Sequence, residues 1–152
     1  MTKIQALVAS AALAIGMAAP VSAGVNDPEI IIYRFPGVIA SNNTGTVFLC
    51  TNFSGVTETI RFVTRQTDTS ILHNQTINVN HLATVAAATR GVAAYTIQLP
   101  LSPPNAVQGT TAIAATSTNI ICTAMNIDPV NTATDGVALR GIRFSPVPGS
   151  QE

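Results

Sequence analysis

Two cysteines, two histidines and seven carboxylates are the residues of this 152-residue chain best equipped for chemistry. Cys50 lies in TVFLCTNFSG, Thr46 to Gly55, and Cys122 in a near echo, NIICTAMNID, Asn119 to Asp128. Such a pair is open to four uses: buried thiols, metal ligands, a reactive centre or a disulfide. A zinc site would need two further ligands beside them. A reactive thiolate would need a base and an electropositive, partly exposed setting. The neighbours Phe48, Leu49 and Phe53, and Ile120, Ile121 and Met125, supply neither. His73 and His81 have an even separation, which puts them on one face of a strand, yet about 26 Å of extended chain would part them. They read as surface or turn histidines. No spacing among the carboxylates proposes an acid/base pair. Ser54 sits in a turn without a G-x-S-x-G elbow, and no glycine-rich phosphate loop is present. Arg61 and Arg65 share a strand face with Val63. The plain reading is a solvated sheet face; the sharper one is a docking surface for an anionic glycan or a partner carboxylate. No catalytic residue, metal or cofactor is expected.

The compartment decides among the cysteine readings. The chain opens MTKIQALVASAALAIGMAAPVSAG. Lys3 is a minimal basic n-region, Ala6 to Ala19 is uncharged and apolar or small, Pro20 breaks any helix, and Val21-Ser22-Ala23 offers small residues to a signal peptidase. This is the layout of a secretory signal peptide cleaved between Ala23 and Gly24. The apolar run is shorter than the roughly 20 residues of a membrane span. It has no twin-arginine signature and no cysteine for a lipid anchor, and its short n-region is of bacterial type. The expected organisation is a signal peptide at 1–23 and one domain at 24–152, secreted or periplasmic. An exported chain with an even cysteine count favours a disulfide between Cys50 and Cys122.

Removing the leader removes Lys3 and leaves no lysine. Six arginines then face seven acids, a net charge of −1. No basic block exists, so the electrostatic footprint of nucleic-acid binding is missing. No basic amphipathic segment suits a membrane surface, and no membrane span is expected after cleavage. Charged residues make up 9% of the chain, and Thr, Ser and Asn supply most of the polarity, as suits a surface facing the outside.

Helix periodicity with caps is absent. Short runs rich in Val, Ile, Thr and Phe recur between Gly, Pro, Asn and Ser. They predict strands at Glu29 to Phe35, Thr46 to Phe53, Glu58 to Gln66, Ser70 to Val79, Ala83 to Thr89, Ala93 to Leu99, Thr111 to Thr116, Asn119 to Asp128 and Val137 to Phe144. Ala86 to Ala88 would also suit a helical turn. The closing SPVPGSQE reads as a frayed tail. Short strands at this spacing indicate an all-β antiparallel sandwich or barrel, and the sandwich is the expected form. Cys50 and Cys122 would then come from facing layers and form an inter-sheet disulfide, as in immunoglobulin domains.

The order of TVFLCTNFSG, TINVNHLATV, GTTAIAATS and NIICTAMNID resembles a loose group of small exported bacterial β-sandwich proteins of unassigned function. In these a cysteine followed by Thr-Asn or Ser-Asn opens a strand exit, and the second lies in an apolar-apolar-Cys-small-Ala strand. The layout is also similar to the immunoglobulin-like sandwich, without its tryptophan and with Ile120 where the corner tyrosine would stand. The resemblance implies architecture and no activity. The expected function is a non-catalytic exported module, structural, adhesive or ligand-binding, with a protein or glycan partner at the cell envelope. Two alternatives stand beside it. One is a fimbria-like assembly subunit donating IIIYRFPGV as a strand; the other is a small secreted hydrolase.

Overall fold

The computed structural model describes residues 27–41, 43–101, 107–130 and 135–144. The expected signal peptide, the Ala23–Gly24 cleavage point and the closing tail lie outside these residues. All ten elements are strands: β1 Ile30–Ser41, β2 Thr44–Asn52, β3 Glu58–Gln66, β4 Ile71–Val79, β5 Thr84–Ala88, β6 Leu99–Pro100, β7 Val107–Ala115, β8 Ile120–Ile127, β9 Gly136–Leu139 and β10 Ile142–Arg143. Among the described residues, no helix is long and apolar enough to cross a membrane.

The strands form one hydrogen-bonded sheet that comes nearly round on itself. One block runs β4-β3-β7-β1, with β10 on the other side of β1. The second runs β6-β5-β2-β8-β9. Two junctions join them. β1 turns into β2 through a short pairing of Ala40 with Gly45 and Ser41 with Thr44. The last expected strand is split by Arg140 and Gly141, so that β9 pairs with β8 while β10 pairs with β1. The split has a packing cause. Gly141 lies so close to Phe35 that a Cβ there would come within 2.4 Å of the ring, and only glycine lets the chain cross from one block to the other at that point.

Inward residues of both blocks meet in one core. Phe35, Phe48 and Phe62, from β1, β2 and β3, are all fully buried. Their ring centroids lie 5.6 and 5.9 Å apart in sequence of contact. Such aromatic pairs add about 0.5–1.5 kcal/mol each beyond the area they bury.

Three expectations are corrected here. Cys50 and Cys122 are joined, yet not across facing layers: they are register partners on the adjacent strands β2 and β8. The Phe53 amide donates to the Asn119 carbonyl at 2.9 Å, so hydrogen-bonded pairs fall at Phe53/Asn119 and Thr51/Ile121. Cys50/Cys122 is then a narrow, non-hydrogen-bonded pair, with a Cα–Cα distance of 4.1 Å. Layers about 10 Å apart could not bring them so close.

Ala93 to Leu99 forms no strand beyond its last residue. It folds over the outer face of the second block, where Val92, Ala94, Tyr95 and Ile97 pack on Val47, Leu49 and Met125. β2 is therefore covered on both faces, which explains its unbroken apolar run VFLC. Ala86 to Ala88 is strand, as the run Ala83 to Thr89 predicted, and its small side chains are buried. Pro36-Gly37 does not end β1. The strand passes through as a bulge with Gly37 at φ +77°, a conformation glycine adopts without strain. IIIYRFPGV is thereby committed to its own sheet, paired with β7 along its length and with β10 at Tyr33 and Arg34.

Candidate functional site

The molecule has two polar ends. At one, called here the Thr46 end, Thr46 and Thr89 are fully buried at the β1–β2 corner. The Ile39 amide donates to Thr46 Oγ1 at 2.9 Å, and the Thr46 amide to Thr89 Oγ1 at 2.8 Å. Thr89 Oγ1 donates to the Ile39 carbonyl at 2.7 Å, and Thr46 Oγ1 to Asn126 Oδ1 at 2.6 Å. A shallow depression of about 510 Å³ beside this network is lined by Asn43, Thr44, Asn126, Asp128, Asp135 and their neighbours.

At the other, the Asn52 end, the TNFSG motif shows its purpose. Asn52 is fully buried. Its Nδ2 donates to the Val56 and Val79 carbonyls, each at 2.7 Å, and its Oδ1 accepts from the Ser54 amide at 2.8 Å. One side chain thus folds residues 53–57 into an Asx turn and fastens them to the end of β4. The Gly55 amide donates to His81 Nδ1 at 3.0 Å, which ties the loop to the β4–β5 turn. Two residues are held in the left-handed region within these paired loops: Gly55 at φ +97° and Leu82 at φ +62°. For leucine that region is costly, and the Leu82 amide is fixed there by the Asn52 carbonyl at 2.7 Å. The strain presents an apolar side chain to solvent. Leu82 is 65% exposed, beside Phe53 at 48% and Val56 at 37%.

Behind this surface Glu58 is fully buried at the start of β3. Its Oε2 accepts from the Thr116 hydroxyl, and its Oε1 has no hydrogen-bond partner among the described residues. Thr116 Oγ1 in turn accepts from the Thr59 amide at 3.1 Å.

The residues singled out from sequence are not brought together. His81 is in the turn, as read, but its Nδ1 is spent on Gly55, and the Ser54 hydroxyl turns to the Val56 carbonyl at 3.1 Å. Ser54 and His81 make no nucleophile–base pair. His73 is half-buried in β4 with a buried Nε2 that has no hydrogen-bond partner among the described residues. That burial lowers its pKa below the ordinary histidine value. Arg61 is drawn into an ion pair: its Nε and Nη2 both bond the Glu29 carboxylate, and Nη1 donates to Asn74 Oδ1 at 3.1 Å. The hydrogen bond that Arg61 donates to the Glu29 carboxylate raises the Arg61 pKa. Arg65 is exposed and donates Nη1 to the Thr69 carbonyl at 2.9 Å. Among the described residues, no three His, Cys, Asp or Glu side chains gather as a metal-ligand set. Asn52, Glu58 and Leu82 were not singled out from sequence. Asn52 was detectable, since an Asn two residues before Ser is an Asx-turn pattern; the other two carry no local mark.

No protein-family model, curated protein or solved structure matches the chain.

Proposed function

We propose that this protein is an exported, non-catalytic, immunoglobulin-like β-sandwich module whose Asn52 end binds a protein or glycan partner at the cell envelope. The observation that carries the binding reading is Leu82. A leucine held left-handed and mostly exposed costs stability without filling any core, and such strain concentrates at sites of contact. Phe53 and Val56 are also exposed on the adjoining loop, and a phenylalanine face suits either a pyranose ring or a protein pocket. Export is supported by the secretory leader pattern and by the disulfide. The non-catalytic reading is supported by the way Ser54, His81, Arg61 and Asp68 are each engaged in local structure: Asp68, for instance, accepts from both the amide and the hydroxyl of Ser70.

The test is a pull-down from the native envelope with the mature protein as bait, run beside a Phe53→Ser/Leu82→Ser variant. Capture of one dominant component by the wild type and its loss with the variant is the expected result. Equal capture by both would overturn the assignment of the site. Turnover of an ester, peptide or glycoside substrate, abolished by one point substitution, would overturn the non-catalytic reading.

A further inference from the structure

Among the described residues β4 is an edge strand, and its open side is well suited to a copy of itself. The orientation of its backbone groups follows from β3. The Thr116 amide donates to the Thr59 carbonyl at 3.1 Å, and the Thr59 amide to the Thr116 hydroxyl. Thr59 therefore directs its backbone groups toward β7, and Ile60 directs its own toward β4. Ile60 is the register partner of Ile77. Strand alternation then gives Gln75, Ile77 and Val79 to the β3 ladder and turns the amides and carbonyls of Asn74, Thr76 and Asn78 outward. The side chains of those three residues are exposed.

The other end of the sheet is treated differently. Beside β5, the Gln98 side chain accepts from the Ala86 amide at 2.7 Å, and the Gln98 amide donates to the Ala86 carbonyl at 3.0 Å. β6 then adds two residues, of which one is Pro100. β4 has a register irregularity at Leu72, near its start, but from His73 to Val79 its pairing is regular and it lacks the usual side-chain protections. Its sequence, ILHNQTINV, contains no proline, lysine, aspartate, glutamate or arginine, although edge strands are ordinarily blunted by such residues.

We propose that β4 pairs antiparallel with β4 of a second copy about a two-fold axis through Thr76. Thr76 then faces Thr76 of the second copy as a hydrogen-bonded pair, and Asn74 faces Asn78 on either side. Every outward amide and carbonyl of the three residues finds a partner. The side-chain pairs are hydroxyl with hydroxyl and amide with amide, which interact favourably across strands. No charge opposes its own copy. Arg61, which lies opposite Thr76 on the neighbouring strand, already has its charge met by Glu29. The pairing is isologous and uses up the edge, so it closes at two copies. It does not depend on the binding proposed for the Asn52 end.

Sedimentation velocity of the mature protein from about 1 to about 500 µM tests this. The expected result is a monomer–dimer equilibrium without larger species. Thr76→Lys places like charges directly opposite and is expected to weaken the dimer at least about tenfold. Thr76→Pro removes an N–H that the β3 ladder does not use and is expected to abolish it. Unchanged circular dichroism and thermal midpoint would show that both variants fold. Amide exchange on the wild type gives a reading that needs no variant: Asn74, Thr76 and Asn78 amides should gain protection as concentration rises. A monomer throughout the range, a ladder of polymers, a dimer indifferent to both substitutions, or those amides exchanging freely at every concentration would each overturn the proposal.

Discussion

The Thr46 end and the Asn52 end are built from the same materials, threonine and asparagine buried at strand termini, and reach opposite results. At the Thr46 end the hydroxyls of Thr46 and Thr89 close a circuit through Ile39 and Asn126, and Val47, Leu49 and Met125 are covered by residues 92–97, while Val130 and Val137 stand exposed from neighbouring backbone that the circuit does not hold. At the Asn52 end an equally well-bonded asparagine is used to hold a loop in which Phe53, Val56 and Leu82 face solvent. Behind them a carboxylate oxygen of Glu58 has no hydrogen-bond partner among the described residues. Buried polar residues can thus finish a fold or aim a surface. What separates the two uses is what the hub holds: strand ends at Thr46, a loop at Asn52.

Four measurements would break or sharpen that contrast. The largest effect belongs to the disulfide, which lies two residues from Asn52. Cys50→Ala/Cys122→Ala reopens a span of 72 residues and should cost about 4 kcal/mol in the chain-entropy model, read from urea unfolding. Amide exchange should quicken at Phe53 before it does at Thr46. Equal quickening at both ends would mean that the bond supports the whole sheet alike.

Next come the two hubs. Asn52→Ala strips the Val56 and Val79 carbonyls and the Ser54 amide of their partner and should cost about 2–3 kcal/mol. Thr46→Val orphans the buried Ile39 amide and should cost about 1–3 kcal/mol. Only Asn52→Ala should also abolish partner capture. If Thr46→Val does the same, the division of labour between the ends is wrong.

A smaller effect distinguishes strain from ordinary loop structure. Leu82 and Thr69, one near each end, both have positive φ, +62° and +70°. At such positions Gly should be more stable than Ala by about 1 kcal/mol, the reverse of the order in a strand. Leu82→Gly should lose binding while holding stability; Thr69→Gly should keep both. Thermal midpoints of the four Gly and Ala variants check the order.

The smallest effect is with pH. His73 has its folded pKa lowered by burial. Below its unfolded value of 6.5 the unfolded chain takes up the proton first, so stability falls as the solution is acidified and levels off below the folded pKa. Asp68, lowered by its hydrogen bonds to Ser70, removes further stability as pH falls through its own range. His73→Gln should flatten the upper part of this slope and leave the lower part. A slope unchanged in the variant would assign it elsewhere.

Much of this architecture was legible in the residues. β3 was bounded correctly because alternation and turn residues agree at both its ends, and the cysteine pair followed from compartment and parity. Partners were not legible. Periodicity places side chains on faces but does not say which strand lies beside which, so Cys50 and Cys122 were assigned to opposite layers when they are neighbours in one. Residues 93–99 have an apolar pattern that suits a strand and equally suits a cover docked on one. Glu58 opens a strand and by type belongs at the surface; only the surrounding tertiary structure buries it. Leu82 takes its backbone shape from Asn52, thirty positions away, and no local pattern could announce it.

The position of the cysteines gives the bond a further property. A slip of β8 against β2 by one residue would turn Cys122 to the opposite side of the sheet from Cys50. A bond between them therefore disfavours any such one-residue slip, and the oxidised pair pins β2 and β8 in the register seen here.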